Sequence, residues 1–226
     1  MHPLIGEFIA ELIGTYIFMT VGLSGSATNE LGNFKTLLIP ALSYSAGVLI
    51  GSFFAGPISG SHLNPAVSLA LVIIKKCSWR SIPIMIFAQY LGSFLASATI
   101  FGIYHESIIA HDANLTQKTA AIFLTFPAKN ISLFSAITDQ VLSTAILIFG
   151  ILMISNQSCF KFDVPFQFLT SSSFIFIMIL AFNFNTNAIF NPGELLSLFE
   201  HSNRFFFISS ELIYLNLFYF FSLNST

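Results

Sequence analysis

The chain has 226 residues, of which 55% are hydrophobic and only 8% charged, with a net charge of −2. Soluble domains carry about 25% charged residues, so a water-soluble fold would have to bury nearly everything here. The composition leaves an integral, multi-pass protein of the lipid bilayer, in the plasma membrane or an internal one, and its charge points away from any nucleic-acid partner.

A bilayer-spanning helix needs about 20 mostly apolar residues. Leu4–Leu23 is the first such stretch. Glu7 and Glu11 interrupt it and no basic segment precedes it, so no cleavable signal peptide is expected. Thr36–Ala55 is the second span. A shorter apolar segment follows, Asn64–Ile74, opened by Ser61-His62-Leu63-Asn64-Pro65-Ala66-Val67. Asn caps the unpaired N–H groups of a helix start, and Pro at the first helical position gives up no needed donor. At about 1.5 Å per residue such a helix crosses only half of the hydrocarbon core.

Ile82–Tyr104 is the third span. The connection His105–Asn130 is polar and holds Asn114-Leu115-Thr116, a glycosylation acceptor if it faces outside. Ile131–Ser155 and Pro165–Asn183 are the fourth and fifth spans. The second Asn-Pro pair, in Ile189-Phe190-Asn191-Pro192-Gly193-Glu194, opens a second half-helix over Asn191–Phe199. Phe205–Leu223 is the sixth span.

This order predicts an all-α membrane protein with six transmembrane helices and two re-entrant half-helices in an inverted repeat. Repeat one covers about 1–105 and repeat two about 130–226 of a single domain, 1–226. An odd number of spans per repeat inverts the second copy. The half-helices then meet N-terminus to N-terminus near the midplane. Asn64 and Asn191 lie 127 residues apart, and Glu11-Leu-Ile-Gly-Thr15 is matched by Gln140-Val-Leu-Ser-Thr144 at an offset of 129. Gly14, Gly47, Gly51, Ala88, Gly92 and Ala96 are expected to let helices approach closely. Asp139 is expected near a membrane face. With both termini inside, four Lys and Arg fall on each side, and the cluster Lys75, Lys76, Arg80 favours that orientation.

Cys77 and Cys159 form neither a disulfide framework nor a zinc site. The five His residues lie mostly in predicted loops, with no nucleophile–base pair. Neither an enzyme, a metal site nor a cofactor is expected.

Ala10-Glu11-Leu12-Ile13-Gly14-Thr15, Ser59-Gly60-Ser61-His62-Leu63-Asn64-Pro65-Ala66-Val67-Ser68 and Gln89-Tyr90-Leu91-Gly92 carry a resemblance. The chain resembles the aquaporin (major intrinsic protein) family. Its first half is most similar to the glycerol-conducting branch, and its second half is divergent. The resemblance implies a homotetramer and a passive channel for water and small neutral solutes such as glycerol. It implies a pore built by Asn64, Pro65, Ala66, Asn191, Pro192 and Gly193, with His62 lining one mouth. Gly56 and Gly60 would let the backbone turn and expose carbonyls. Glu11, and Gln140 in the second repeat, would support the loops. The selectivity filter would be Tyr44, Ile179, Ala188 and Glu194, where the family usually has Arg at the last position. Glu194 accepts hydrogen bonds and attracts cations, or else points away from the pore toward Asn183, Asn185 and Asn187. Two alternatives therefore stand: an ammonium- or cation-permeable variant, and a non-conducting structural membrane protein.

Overall fold

The computed structural model describes residues 3–124, 126, 128, 130–156, 161–188 and 190, and the backbone of 199–201 and 204–206. Helix α1 spans Pro3–Leu31, α2 Leu38–Ser59, α3 Pro65–Ile73 and α4 Ile82–His111. After the short α5, Gln117–Ala120, come α6, Leu133–Ile154, and α7, Val164–Thr186. Among the described residues five helices are long and apolar enough to cross a membrane: α1, α2, α4, α6 and α7.

Short links make neighbouring spans antiparallel. The face at which α1 starts is called here the near face, and that at which it ends the far face. Residues 32–37 turn α1 into α2 at the far face. Helix α3 then returns from mid-depth to the near face, where α4 begins. Lys76 Nζ donates to the Ser155 carbonyl at 3.4 Å, which puts the end of α6 at the near face as well. Helix α6 therefore runs opposite to α1, and α7 opposite to α2.

The helices form for recognisable local reasons. Ser132 caps α6 by accepting from Ser135 N–H at 3.1 Å, and Asp163 caps α7 by accepting from Phe166 N–H at 3.0 Å. Their middles are Leu, Ile, Phe and Val, with Ser and Thr satisfied by back-bonding. Ser45, Thr99 and Thr170 each donate to the carbonyl four residues earlier.

Packing between α1, α2 and α4 depends on missing side chains. A Cβ on Gly51 would stand 2.5 Å from the Gly14 carbonyl oxygen, and one on Gly47 2.5 Å from that of Phe18. A Cβ on Gly92 would lie 2.6 Å from the Leu12 carbonyl oxygen. Backbones touch at these crossings, as small residues at membrane helix interfaces allow. Ala88 and Ala96 are fully buried on α4.

Polarity is turned inside out. Glu11, Thr15, Ser68, Gln89 and Ser93 are fully buried, while Phe54, Ile58, Phe149 and Phe184 are exposed. In water such an apolar exterior would aggregate; in hydrocarbon it is the surface a helical span needs.

Several boundaries differ from the sequence reading, most of all at the ends of α1 and α4 and at residues 199–201 and 204–206. Helix α1 continues past Leu23 to Leu31, and α4 past Tyr104 to His111. Apolar length ends the first span at Leu23, yet a Cβ on Gly25 would fall 2.2 Å from Ser43 Oγ, so this glycine is where α2 packs. Packing outweighs the weak helix propensity of glycine. The backbone at Phe199–His201 pairs antiparallel with Arg204–Phe206, Glu200 opposite Phe205. The expected half-helix and sixth span therefore do not include Phe199, Phe205 or Phe206, whose aromatic side chains suit extended backbone. The rest of both segments lies outside the described residues.

Candidate functional site

Residues 60–64 turn the chain back at mid-depth. Gly60 (φ 84), Ser61 (φ 59) and Leu63 (φ 51) all lie in the left-handed region. For Ser61 and Leu63 that costs about 1–2 kcal/mol each. Glu11 offsets the cost. Its Oε1 accepts from His62 N–H at 2.9 Å and from Ser59 Oγ at 2.5 Å. Its Oε2 accepts from Leu63 N–H at 2.8 Å and from Gln89 Nε2 at 2.7 Å. A buried carboxylate is expensive in a membrane, but hydrogen bonds to a charged group are worth about 1.5–3 kcal/mol each. Four of them, two from the loop and one each from the end of α2 and from α4, converge on this carboxylate of α1.

Gln89 Nε2 also donates to Ser68 Oγ at 3.0 Å, and Ser68 Oγ lies 3.0 Å from His62 Nδ1. Ser68 Oγ and His62 Nδ1 share one hydrogen, and which of the two donates follows the His62 tautomer.

Asn64 is the N-cap of α3, and Pro65 takes the first helical position. Asn64 Oδ1 accepts from Ala66 N–H at 2.8 Å. Asn64 Nδ2 donates to the Phe190 carbonyl at 2.9 Å. The residue just before the second Asn-Pro pair is thereby joined to the first. Asn191, Pro192, Gly193 and Glu194 lie outside the described residues.

The turn after α7 repeats the turn after α2 at an offset of 127 residues. Gly60 N–H bonds the Gly56 carbonyl at 3.1 Å, and Asn187 N–H bonds the Asn183 carbonyl at 2.9 Å. Positive φ at Gly60 and Ser61 is matched at Asn187 (φ 57) and Ala188 (φ 50). Ser59 donates to Glu11; its counterpart Thr186 donates to Asp139 Oδ2 at 2.5 Å and accepts from Gln140 Nε2 at 2.5 Å. Asn185 Nδ2 adds a bond to Asp139 Oδ1 at 3.2 Å. Gln140 thus bonds the segment before the second loop, but the carboxylate there is Asp139. The sequence reading expected Asp139 near a membrane face; its side chain is turned to the end of α7. The signal was a carboxylate one residue before Gln140, on a helix whose partner in the first repeat carries Glu11.

A cavity of about 690 Å³ runs past these groups. Asn29 and Glu30 line it at the far face, and Lys76 and Ser155 at the near face. Between them it is lined by Gly60, Ser61, His62 and Asn64 among the polar groups, and by Val48, Leu71, Leu147 and Ile151 among the apolar ones. Tyr44, Ile179 and Ala188 also line it, and Tyr44 packs against the buried cluster that holds Ile179, Ala188 and Phe190. Three of the four filter positions implied by resemblance thus border one space, while Pro65 and Ala66 hold the start of α3 behind Asn64. Among the described residues no group of three His, Cys, Asp or Glu side chains could hold a metal ion.

Spanning helices with an apolar exterior, two capped turns meeting at mid-depth and a cavity reaching both faces define a multi-pass integral membrane protein of the channel type. Residues 2–208 match the family described as Major intrinsic protein, and the chain belongs to that family. It is 31% identical over 203 residues to aquaporin-1 of Milnesium tardigradum, covering 87% of this chain and 61% of that protein. Human aquaporin-9 is 30% identical over 198 residues, covering 84% of this chain and 67% of the relative. The chain thus spans about three fifths of the length of the first relative and two thirds of the second. The X-ray structure of the aquaglyceroporin from Plasmodium falciparum superposes with a TM-score of 0.77 at 28% identity, over 84% of this chain and 78% of that one. The chain therefore has the aquaporin fold, is related to aquaglyceroporins and falls among channels rather than enzymes.

Proposed function

We propose that this protein is a passive channel for water and small neutral solutes such as glycerol, assembled as a homotetramer from the single domain 1–226. The observation that carries the reading is the Asn64 amide bonded to the Phe190 carbonyl inside the cavity. One of the two amide hydrogens is used there, and the other can be offered to a solute oxygen. The N-terminus of α3 adds about half an elementary charge of positive field at the same level. Such a field repels protons and cations while leaving neutral oxygens bound weakly enough to pass. Asn191, Pro192 and Gly193 would supply the matching donor from the second half-helix.

The His62 ring and the carbonyls of 60–63 would continue the polar stripe, with Glu11 and Gln140 holding the two loops. Tyr44, Ile179, Ala188 and Glu194 would select by size and polarity. A closed structural role would need no cavity reaching both faces. The relatives' names, aquaporin and aquaglyceroporin, support the same solute class.

The cation-permeable alternative rests on Glu194 in the slot where the family usually has Arg. Planar-bilayer recordings separate the two readings. No current, beside liposomes that admit water and glycerol and exclude larger polyols, supports the neutral-solute reading. A cation current abolished by Glu194→Gln would replace it.

A further inference from the structure

We propose that Gly22 is a selectivity-determining residue, because it gives the Tyr44 ring a seat in the wall of α1 and so keeps it out of the solute path. The proposal deepens the neutral-solute reading and rests on it. Gly22 is buried on α1. A Cβ on it would stand 2.3 Å from Tyr44 Cδ1, 2.4 Å from Cε1 and 2.8 Å from Cγ. These three atoms follow one edge of the ring from its root outward. The ring therefore occupies the space that any side chain at position 22 would need.

Turning the ring about its own axis gives no full relief, because Cγ lies on that axis and stays 2.8 Å from the added Cβ. The whole ring must swing about the Cα–Cβ bond, or the helices must part. The helices are held by backbone contact at Gly14 with Gly51 and at Phe18 with Gly47. Phe18 also sits edge-on to the ring, 6.0 Å between centroids at 65°, and blocks retreat along α1. The open direction is the cavity that Tyr44 already borders with Ile179 and Ala188. A methyl group at position 22 therefore narrows the cavity at Tyr44. Glycerol, being wider than water, loses more.

The experiment uses the full chain in liposomes, with osmotic shrinkage reporting water and re-swelling reporting glycerol. The set is wild type, Gly22→Ala, Tyr44→Ala and the double variant. Expected is a fall of about tenfold in glycerol permeability for Gly22→Ala, a smaller fall for water, and recovery of glycerol in the double variant. Should Gly22→Ala fail to assemble while the double variant assembles and conducts, the steric link is supported. An unchanged glycerol-to-water ratio in Gly22→Ala, a double variant as slow as the single one, or a double variant that does not assemble would each overturn it. A wild type that conducts neither solute removes the channel reading and this proposal with it. A conducting wild type with an unaltered ratio in Gly22→Ala removes the proposal alone.

Discussion

The side-chain amide of Asn64 donates to the backbone carbonyl of Phe190, 126 residues later, at 2.9 Å. The bond joins the two turns at the depth where α3 begins. It fixes the Asn64 amide while Oδ1 is held by Ala66 N–H. An amide fixed at both ends presents its remaining hydrogen in one direction without further ordering, and preorganised donors bind a passing oxygen with little entropic cost.

Glu11 is the first test of how that amide is held. Glu11→Gln keeps the size but sets an NH2 group against donors from residues 59–63 or Gln89. Each lost charge-assisted bond is worth about 1.5–3 kcal/mol. The expected outcome is a lower thermal unfolding temperature in detergent and a marked loss of glycerol flux. Glu11→Gln behaving as wild type in both would show that the loop does not depend on the carboxylate.

Asp139 and Thr186 should be coupled. A double-mutant cycle with Asp139→Ala and Thr186→Val is expected to give an interaction energy of about 0.5–3 kcal/mol. Gln140→Ala should cost less than Asp139→Ala, because Asp139 holds both Thr186 and Asn185. Detergent unfolding curves measure each corner. Additive effects would mean that Asp139 does not secure the second turn.

Glycine substitutions should separate by neighbour, not by helix. Gly51→Ala meets the Gly14 carbonyl at 2.5 Å and is expected to destabilise by about 1–3 kcal/mol. Gly102→Ala on α4 meets nothing within 4 Å and should be neutral or stabilising by up to about 1 kcal/mol. Unfolding temperatures of the two variants, measured side by side, check the contrast.

Acid should loosen the segment after α4. Asp112 Oδ2 accepts from Thr116 N–H and Thr116 Oγ1, both at 2.7 Å, and from Thr119 Oγ1 at 3.0 Å. The Thr116 side-chain bond leads in holding its carboxyl below the usual Asp range; desolvation opposes it, and the bonds from Thr119 Oγ1 and from backbone N–H groups add to the lowering. A carboxyl whose folded value is depressed stabilises the fold above its unfolded value and ceases to as pH falls through the folded one. Ala121–Leu124, which line the far mouth, follow this segment. Hydrogen exchange over 113–124 should rise only below the ordinary carboxylate range, and Asp112→Asn should show the faster exchange already at neutral pH.

Much of this was legible in the chain because local chemistry and membrane physics agree. Asn64-Pro65 is a helix start whatever surrounds it, and the spans follow from apolar length. Glu11 could be singled out because a mid-span charge needs partners. Other features depend on distant residues. The continuation of α1 to Leu31 reflects packing of Gly25 against Ser43, which no local pattern signals. Asp139 differs from an exposed carboxylate only through Thr186 and Asn185, which α7 brings to it. The seat of Tyr44 is an absence, the missing side chain of Gly22 on another helix. Pairing of Phe199–His201 with Arg204–Phe206 runs against a reading by apolar length, since a Phe-rich run meets that criterion whether it is helical or extended.

The central claim is that solute crosses the membrane where the two turns meet. Light scattering from liposomes holding the full chain, after a sucrose step and then a glycerol step, tests it most directly beside the control Asn64→Asp/Asn191→Asp. Fast shrinkage followed by glycerol re-swelling, lost in the control, is the result predicted. Permeability no greater than that of empty liposomes would contradict the account.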